Sequence, residues 1–435
     1  MLVTDFDKRQ TELLHQLATA SIEGFEGYNI EKMLFNVSGE ALRTDWKSAL
    51  IKVIRTIFID NVLVEKNVDQ PGKPMLISYD YHRQDHTGYW NKFKKIVEDY
   101  SEIMITEGTK SVHKIRKISD VFRVAIIYHK AKKSLNFVEG NATRNVLAAN
   151  LADLAIIRKK IDQLQFSGRA GFIFFDGNRV ENLIVQNLRN RGITVATMQH
   201  GQPVFHGKDC DRINQTMILN FSSDYIMVTG EYSKKQFMLG GIPEDQIFVG
   251  GSLREVRPIQ DVSGDDFALF LDCPTNPNAA RDNKELIDCA ERISEDLHSK
   301  YVIKCHPQDD PINYREYRIQ NGSFLPKGKT ISDALKNKSF AILHASGVYL
   351  DILANGTKAF CYINDTDFPL VEEGMDSFAS TEELIEKNKE WRTYTSERKK
   401  MYMNSIIKYY LYPEGVDFRY KTFADKLSTG KKVME

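Results

Sequence analysis

The chain of 435 residues lacks the features that mark several large classes of protein. Its five cysteines show no CxxC spacing, which argues against a zinc site or disulfides and favours reduced, buried thiols. No segment approaches the run of roughly 20 uncharged residues that a membrane span needs. The first residues, MLVTDFDKRQ, have no basic region followed by an apolar core, so we expect no signal peptide. Together these absences predict a cytoplasmic protein.

A surplus of charge of one sign is also lacking. Lysine plus arginine and aspartate plus glutamate number 59 each, so we expect no nucleic-acid partner. Basic stretches are only local, at residues 110–117 and 130–133. Such runs usually form solvated helix faces, and the alternative is docking to an anionic membrane surface or to an anionic polymer. Docking to a membrane would place the protein peripherally at its inner face.

The common motifs for nucleophiles, metals and phosphates are missing as well. The sequence contains no GxSxG, no HExxH and no P-loop pattern GxxxxGK[ST]. Residues 177–179 (GNR) are not part of a GxGxxG pattern. A standard dinucleotide site is therefore not expected.

What the chain does contain is a repeated alternation of short apolar strands with helices. We predict helices over the first 70 residues and over an insert at 112–166, and a linker that begins with glycines 250 and 251. The predicted strands lie at residues 75–79, 103–106, 172–175, 193–198 and 225–229 before that linker, and at 267–271, 301–304, 340–343 and 358–363 after it. The length and this order predict an α/β protein with two doubly wound, Rossmann-like domains that face a cleft, preceded by extra helices.

Ligands of such sheets bind at the carboxyl ends of the strands, so residues just after the strands are candidates for function. In the second domain, Lys304 and His306 follow one strand and offer two donors suited to a diphosphate. The small turn Ser346-Gly347 precedes a helix whose free N–H groups suit an anion. Asp351, one helical turn later, is placed to meet ribose hydroxyls, and Thr275 adds a weaker hydroxyl signal.

The first domain offers candidates for proton transfer. Asp85 and His86 lie in a predicted loop with Tyr89 and Trp90, where the pair would act as a general base and the rings would stack on a sugar. The alternative is a polar surface loop whose aromatic rings are anchored in the core. His200-Gly201 ends another strand, and the alternative there is a tight turn with a capping histidine. Six of the ten histidines lie at strand exits: His82, His86, His200, His206, His306 and His344.

Four stretches give the chain a family resemblance. They are QHG at 199–201, GEYSKKQFMLGGIPEDQIFVGGSLRE at 230–255, KCHP at 304–307, and ASGVYLD at 345–351 with the following strand and YIND. In order and spacing the series resembles the GT-B glycosyltransferases, and among them the bacterial capsule and CDP-glycerol-type (teichoic acid-like) surface-polymer transferases. One departure is Gly347, which stands where teichoic-type enzymes usually have a second serine.

The resemblance implies roles for domains and residues. It implies an acceptor-side domain over residues 1–258, a nucleotide-donor domain over 265–404, and C-terminal helices over 405–435, with their packing against the first domain as an open alternative. It places His306 and the Ser346-Gly347 turn at the donor phosphates, Asp351 near the ribose, and His200-Gly201 across the cleft. Such enzymes need no cofactor and no metal, and the absence of a DxD motif at a strand end agrees with this.

The expected activity is therefore transfer of a sugar from a UDP-, CMP- or CDP-linked donor onto a glycan or glycolipid acceptor of the bacterial surface. Two alternatives stay open within the same fold. One is a polyol-phosphate transferase of the CDP-glycerol or ribitol type. The other is a nucleotide-sugar epimerase, for which Asp85, Glu107 and Asp176 would supply carboxylates near the sugar. A third possibility is a non-catalytic scaffold that keeps the fold for partner binding. The full set of polar residues at the strand ends argues against it.

Overall fold

The chain folds into two compact units. The computed structural model describes residues 5–431 apart from 69, 71, 80–83, 108–113, 165, 167, 200, 206, 208–214, 260–263, 274–278, 345, 364–370 and 373, and gives the backbone alone at 68, 84–86, 216, 217, 279 and 280. The N-terminal unit runs to Val228 and also contains Lys234–Gly250 and Gly415–Glu435. The C-terminal unit contains Thr229–Ser233 and Gly251–Glu414. The chain thus changes unit after Gly250, earlier than the expected residue 258, and the predicted C-terminal segment 405–435 is divided at Glu414.

The N-terminal unit is built on a seven-stranded sheet with helices around it. In chain order its elements are α1 Asp5–Ala18, α2 Ile30–Arg43, α3 Trp46–Phe58, β1 Ile59–Asp60, β2 Val62–Val68, β3 Met75–Tyr79, α4 Gln84–Val97, β4 Ser101–Glu107, β5 Lys114–Ile115, α5 Ile118–Ser134, α6 Asn141–Asp162, β6 Ala170–Ile173, α7 Arg179–Asn190, β7 Thr194–Met198, α8 Thr216–Leu219, β8 Tyr225–Val228, α9 Glu231–Leu239 (which begins in the C-terminal unit) and β9 Ile247–Val249. The strand order is β2-β4-β3-β6-β7-β8-β9, and all pairs are parallel except β2 with β4. The predicted strands of this half are confirmed.

The central strands are covered on both faces, as their continuous apolar runs predict. Every residue of β6 is buried, as are the first four of β3. Helix α6, of 22 residues, packs against α2, α3, α5 and α7 and buries Leu147, Leu151 and Leu154. The predicted helical insert and N-terminal helices therefore form one packed layer on the sheet.

Two predictions about this half are wrong in detail. The N-terminal helices end at Phe58, and Val62–Val68 is a strand antiparallel to β4, because its alternating valines suit a half-buried edge position. Residues 84–90 are not a loop but the start of α4. Trp90 is buried there, donates its indole N–H to Ser78 Oγ at 2.7 Å and stacks on Phe93, so it cannot stack on a sugar.

The C-terminal unit contains a six-stranded, fully parallel sheet. Its elements are β10 Phe267–Phe270, α10 Ala279–Leu297, β11 Tyr301–Lys304, β12 Gly322–Phe324, α11 Ile331–Leu335, β13 Phe340–Leu343, α12 Val348–Ala354, β14 Lys358–Tyr362, β15 Ser377–Phe378, α13 Thr381–Thr393 and α14 Ser396–Leu411. The strand order is β12-β11-β10-β13-β14-β15. The four strands predicted for this half are confirmed.

The last helix, α15 (Val416–Thr429), belongs to the N-terminal unit. It packs against α4, and the ring of Tyr420 meets the edge of Phe93. Phe423 stacks on Phe248 of β9 with ring centroids 4.1 Å apart. This aromatic contact fixes the end of the chain to the sheet that its first half builds.

Candidate functional site

Each sheet contains one point at which its strand order reverses. In the N-terminal unit β4 and β6 lie on opposite sides of β3, and in the C-terminal unit β11 and β13 lie on opposite sides of β10. Open α/β sheets bind ligands at such a point, in the crevice outside the carboxyl ends of the strands. Each unit therefore carries one candidate site at the ends of these strands.

In the C-terminal unit, Asp272 and His344 form the floor of this crevice. His344 directly follows β13, and Asp272 follows β10 after one intervening residue; the last residues of these strands, Phe270 and Leu343, pair with each other. Both side chains are buried, and His344 Nδ1 lies 3.8 Å from Asp272 Oδ2. A protonated imidazole at this place would be stabilised by the carboxylate. In the sequence, His344 is one of the six histidines at predicted strand ends, but no role was predicted for it.

Lys304 and His306 lie at the end of the neighbouring strand β11. Lys304 is partly buried, and this burial lowers the pKa of its ammonium group. The backbone N–H of Gln308 donates to His306 Nδ1 at 3.2 Å. A neutral His306 therefore carries its proton on Nε2, which makes that nitrogen a donor for an anionic oxygen.

The turn between β13 and α12 leaves open space at Gly347. Gly347 has helical φ and ψ angles of −57° and −12°, so its backbone does not require glycine. An added Cβ would meet no atom within 4 Å. Because α12 has only seven residues, the nearby backbone N–H groups matter more here than the helix dipole. The turn can thus admit a ligand close to the main chain.

Asp351 has a partner that the sequence did not indicate. Its Oδ1 accepts a hydrogen bond from Arg254 Nε at 2.7 Å, within the C-terminal unit. Ribose hydroxyls would have to share this carboxylate with the guanidinium. Arg254 lies in residues 230–255, one of the four stretches on which the family resemblance rests. This position was the signal in the sequence that could have pointed to Arg254.

Several predicted site residues fall outside the described part of the chain. His200 and Thr275 are among them, as are His82 and His206. Asp85 and His86 lie in the first turn of α4, and only their backbone is described. Gly201 is described and has φ of 71°, which confirms that glycine serves a left-handed turn there.

In the N-terminal unit a cavity of about 790 Å³ opens at the reversal point. Helices α2 and α3 form its walls with mostly polar side chains, and the ends of β3 and β4, the start of α7 and Asp153 of α6 form its floor. Such a lining of amides, hydroxyls and charges suits a ligand with many hydroxyl groups. The floor consists of Tyr79, Glu107, Asp153, Asn178, Arg179 and Glu181.

A network of charges organises this floor around Arg179. The guanidinium donates to Asp153 Oδ2 at 2.9 Å and to Glu107, and the Tyr79 hydroxyl donates to the same glutamate. Burial alone would lower the pKa of Arg179, but the carboxylates of Asp153 and Glu107 outweigh it and raise that pKa. The arginine therefore stays charged and holds the two acids in place.

Glu181 stands out among the acids because it is buried without a cation bound to it in the described contacts. Burial raises the pKa of its carboxyl to about 7, against which a 3.1 Å hydrogen bond from Asn178 Nδ2 acts. A carboxyl that titrates near neutral pH can accept or return a proton. Arg179 and Glu181 were not among the candidates that the sequence indicated, although both lie shortly after the end of a strand.

Asp176, in contrast, is a structural residue. Its Oδ2 accepts hydrogen bonds from the backbone N–H groups of Ser222 and Ser223 and from the Ser223 hydroxyl, all within 2.9 Å. The carboxyl is buried, and this burial raises its pKa. The idea that Asp176 contacts a sugar is therefore wrong, because its oxygen anchors the loop before β8.

Replacing Glu181 with glutamine tests its titration through stability. Because burial raises the pKa from 4.5 to about 7, folding binds a proton over this window, and stability falls as pH rises through it. We expect Glu181→Gln to change little near pH 4.5 and to raise the free energy of unfolding by up to about 3 kcal/mol near pH 8. Thermal denaturation of both proteins at the two pH values measures this. Equal stability of the two at the higher pH would contradict the raised pKa.

Among the described residues, metal ligands do not gather in either candidate site. Within the described ranges no three His, Cys, Asp or Glu side chains are grouped as a metal ion requires. Asp309, which follows His306, uses one carboxylate oxygen to accept from Asn313 and the other from Tyr314. Its role is to hold the loop after β11.

Comparison with known proteins identifies the fold. The chain matches no protein-family model and no curated protein by sequence. The UDP-GlcNAc 2-epimerase from Neisseria meningitidis, solved with UDP-GlcNAc, is 12% identical, with 82% of this chain and 99% of that chain covered and a TM-score of 0.50. A Listeria monocytogenes protein whose name assigns it the same activity is 11% identical, with 83% and 99% covered and a TM-score of 0.51. At such identities the likeness concerns the fold alone, and it confirms the predicted GT-B fold of two Rossmann-like domains.

Proposed function

We propose that the chain is a glycosyltransferase that moves a sugar from a nucleotide-activated donor onto a bacterial surface glycan such as capsule or lipopolysaccharide. One observation carries the proposal: the two reversal points offer different chemistry. The site of the C-terminal unit offers Lys304, His306 and the backbone N–H groups of a turn that is open at Gly347, whereas the N-terminal unit has a large, hydrophilic cavity. A transferase needs both kinds of site, because it binds an anionic donor and a polyhydroxylated acceptor.

In this proposal the C-terminal unit binds the donor. Lys304 and His306 donate to the phosphate oxygens, and the open space before Gly347 lets the phosphates approach the N–H groups of the turn. These groups neutralise the charge that develops on the leaving nucleotide, so we expect no metal or other cofactor. Asp351, oriented by Arg254, meets the ribose.

The reaction needs a base on the acceptor side. The acceptor oxygen attacks the anomeric carbon, the bond from that carbon to the phosphate oxygen breaks, and the acceptor proton passes to the base. The candidates for this base that the sequence indicates are Asp85, His86 and His200. The structure adds Glu181, whose pKa of about 7 suits proton transfer near neutral pH.

A nucleotide-sugar epimerase is the second candidate. The two solved structures described above bear that activity in their names, and Glu107 and Glu181 place two carboxylates at the reversal point of the N-terminal unit. An epimerase acts on the donor sugar itself and requires no acceptor. The large cavity walled by the extra helices has no evident use in such a reaction, which favours the transferase.

A nucleotide screen tests the proposal. We expect one of UDP, CMP, CDP and GDP at about 100 times its Kd to stabilise the protein by about 2.7 kcal/mol, seen as a rise in melting temperature of about 3 °C or more. Sugar nucleotides of the same base, followed by NMR, then separate the two reactions. Release of nucleotide only in the presence of glycan acceptor supports transfer, whereas conversion of the sugar without acceptor supports epimerisation. If no nucleotide stabilises the protein, both proposals fail.

A further inference from the structure

Helix α3 exposes apolar side chains on the side that faces solvent. Its buried residues are Ala49 and Val53, which pack toward the interior. A surface helix normally carries polar residues on its outer face. Here the outer face carries five large apolar side chains, each more than two-fifths exposed: Trp46, Leu50, Ile51, Ile54 and Phe58.

The neighbouring elements continue this apolar face. The pairing of Ile59 with Ile115 joins β1, which directly follows α3, to β5, and α5 packs against α3. Four further large apolar side chains are exposed here: Ile115, Ile118, Phe122 and Ile126. We call these nine side chains the α3–α5 surface. Only five other large apolar side chains of the described chain are exposed, and they are spread over α9, α14, α15 and the loop before β12. A contiguous patch of this kind marks a contact surface rather than ordinary scatter.

The same elements carry a surplus of positive charge. Helix α3 contains Lys47, Lys52 and Arg55 and no acid. Residues 114–134 contain seven lysines and arginines against the single acid Asp120. Three of these cations form ion pairs: Lys52 with Glu40, Arg116 with Asp60 and Asp153, and Lys130 with Glu23. Four others are exposed to solvent: Lys47, Arg55, Lys114 and Lys117. The chain as a whole has no net charge, so the surplus is a property of this surface.

We propose that the α3–α5 surface docks on an anionic lipid bilayer. Its apolar side chains would enter the boundary between headgroups and acyl chains, while the lysines and arginines contact the headgroups. Tryptophan side chains are enriched at this membrane–water boundary, and Trp46 supplies one. No helix in the described ranges is long and apolar enough to cross a membrane. Contact through this surface is peripheral binding of the kind that combines an apolar face with basic residues.

A second copy of the chain fits this surface less well. A symmetric dimer would bring the same face of both copies together, and with it two sets of lysines and arginines. Like charges at such an interface repel, whereas anionic headgroups neutralise them. The charge of the surface therefore selects the bilayer over self-association.

Docking in this way would bring the acceptor cavity to the membrane. Ile51, Lys52 and Arg55 of α3 also line that cavity, so its wall and the docking surface share one helix. This step rests on the proposed function, and it names a lipid-linked glycan as the acceptor class. The docking itself needs neither nucleotide nor acceptor, and a vesicle experiment tests it separately.

Binding to vesicles tests the docking directly. We expect the protein to sediment with vesicles that contain phosphatidylglycerol, much less with pure phosphatidylcholine, and less again at high salt. Trp46 is the exposed one of the three tryptophans, since Trp90 and Trp391 are buried. Its fluorescence should therefore shift to the blue on binding, and Trp46→Phe should remove the shift while most of the binding remains. Wild-type protein that stays in solution with anionic vesicles would overturn the proposal.

Variants locate the binding on the molecule. Phe122→Ser combined with Ile126→Ser should weaken binding by about tenfold or more, and Lys114→Glu combined with Lys117→Glu should abolish the preference for anionic vesicles. Phe418→Ser on α15 is the matched control, because Phe418 is 75% exposed but lies outside the surface. Unchanged binding by the double variants, or a wild-type dimer that these variants dissociate, would refute the bilayer as the occupant. Circular dichroism spectra that match the wild type exclude misfolding as the cause.

Discussion

Replacement of Arg179 with methionine is expected to lower the free energy of unfolding by about 3 to 5 kcal/mol. The guanidinium is mostly buried and lies between Asp153 and Glu107, with Glu181 close by on the same floor. Without the arginine, Glu107 loses its cation, and Asp153 keeps only Arg116, whose guanidinium lies 3.4 Å away. The cost of burying these carboxylates is then no longer fully offset. Thermal or urea denaturation measures the loss, which corresponds to a drop in melting temperature of roughly 5 to 10 °C.

Two further variants show whether charge is the cause. Arg189 on the same helix pairs with Asp224, but its side chain is 46% exposed, so Arg189→Met should cost less than about 1 kcal/mol. Adding Glu107→Gln to Arg179→Met should restore part of the lost stability, because Glu107 then loses its charge together with its cation, whereas Asp153 still has Arg116 beside it at 3.4 Å. A double variant as unstable as Arg179→Met would show that packing, and not electrostatics, dominates at this site.

Lys304→Met is expected to remove the stabilisation of the protein by its nucleotide and to lower turnover by about 10² to 10³-fold. The lysine is at the end of β11 beside His306, where the proposed function places the phosphates, and its charge would stabilise the leaving group. Methionine keeps the unbranched apolar chain, so the fold should tolerate it. The melting temperature with and without nucleotide, and initial rates with donor and acceptor, measure the two effects.

The control for this variant lies at the other end of the same strand. Lys300 directly precedes β11 and is exposed, so Lys300→Met should keep both the nucleotide-dependent stabilisation and the rate. His306→Ala should weaken nucleotide binding in the same direction as Lys304→Met. If Lys304→Met still responds to the nucleotide like the wild type, the donor phosphates do not bind at the end of β11.

The local pattern of the sequence was sufficient for the arrangement of strands and helices. The run FALF at 267–270 is apolar throughout, because a parallel strand is buried on both faces. The run FIFF at 172–175 marks the end of another such strand, Ala170–Ile173. Their order predicted two Rossmann-like domains, which the observed sheets and the fold comparison confirm. The ends of these strands then indicated where ligands bind, since this follows from the topology of such sheets.

The composition of the acceptor-side floor could not be predicted in this way. Arg179 meets Glu107 across 72 positions of sequence and Asp153 across 26, so no local spacing reveals the network. For Trp90 the sequence leaves two interpretations open, a contact with a sugar and a ring anchored in the core, and the fold shows the second. Only packing decides which side of a helix becomes buried.

The tertiary structure gives meaning to the balanced charge of the chain and to its local basic stretches. The sequence by itself determined that charge is balanced over the whole chain and that basic stretches are local. Only the fold places α3, β5 and α5 side by side, with their apolar residues outward and their lysines and arginines nearby. Periodicity along the chain encodes individual elements, but a surface or a charged cluster arises from contacts between distant elements, and these depend on how all the elements pack together.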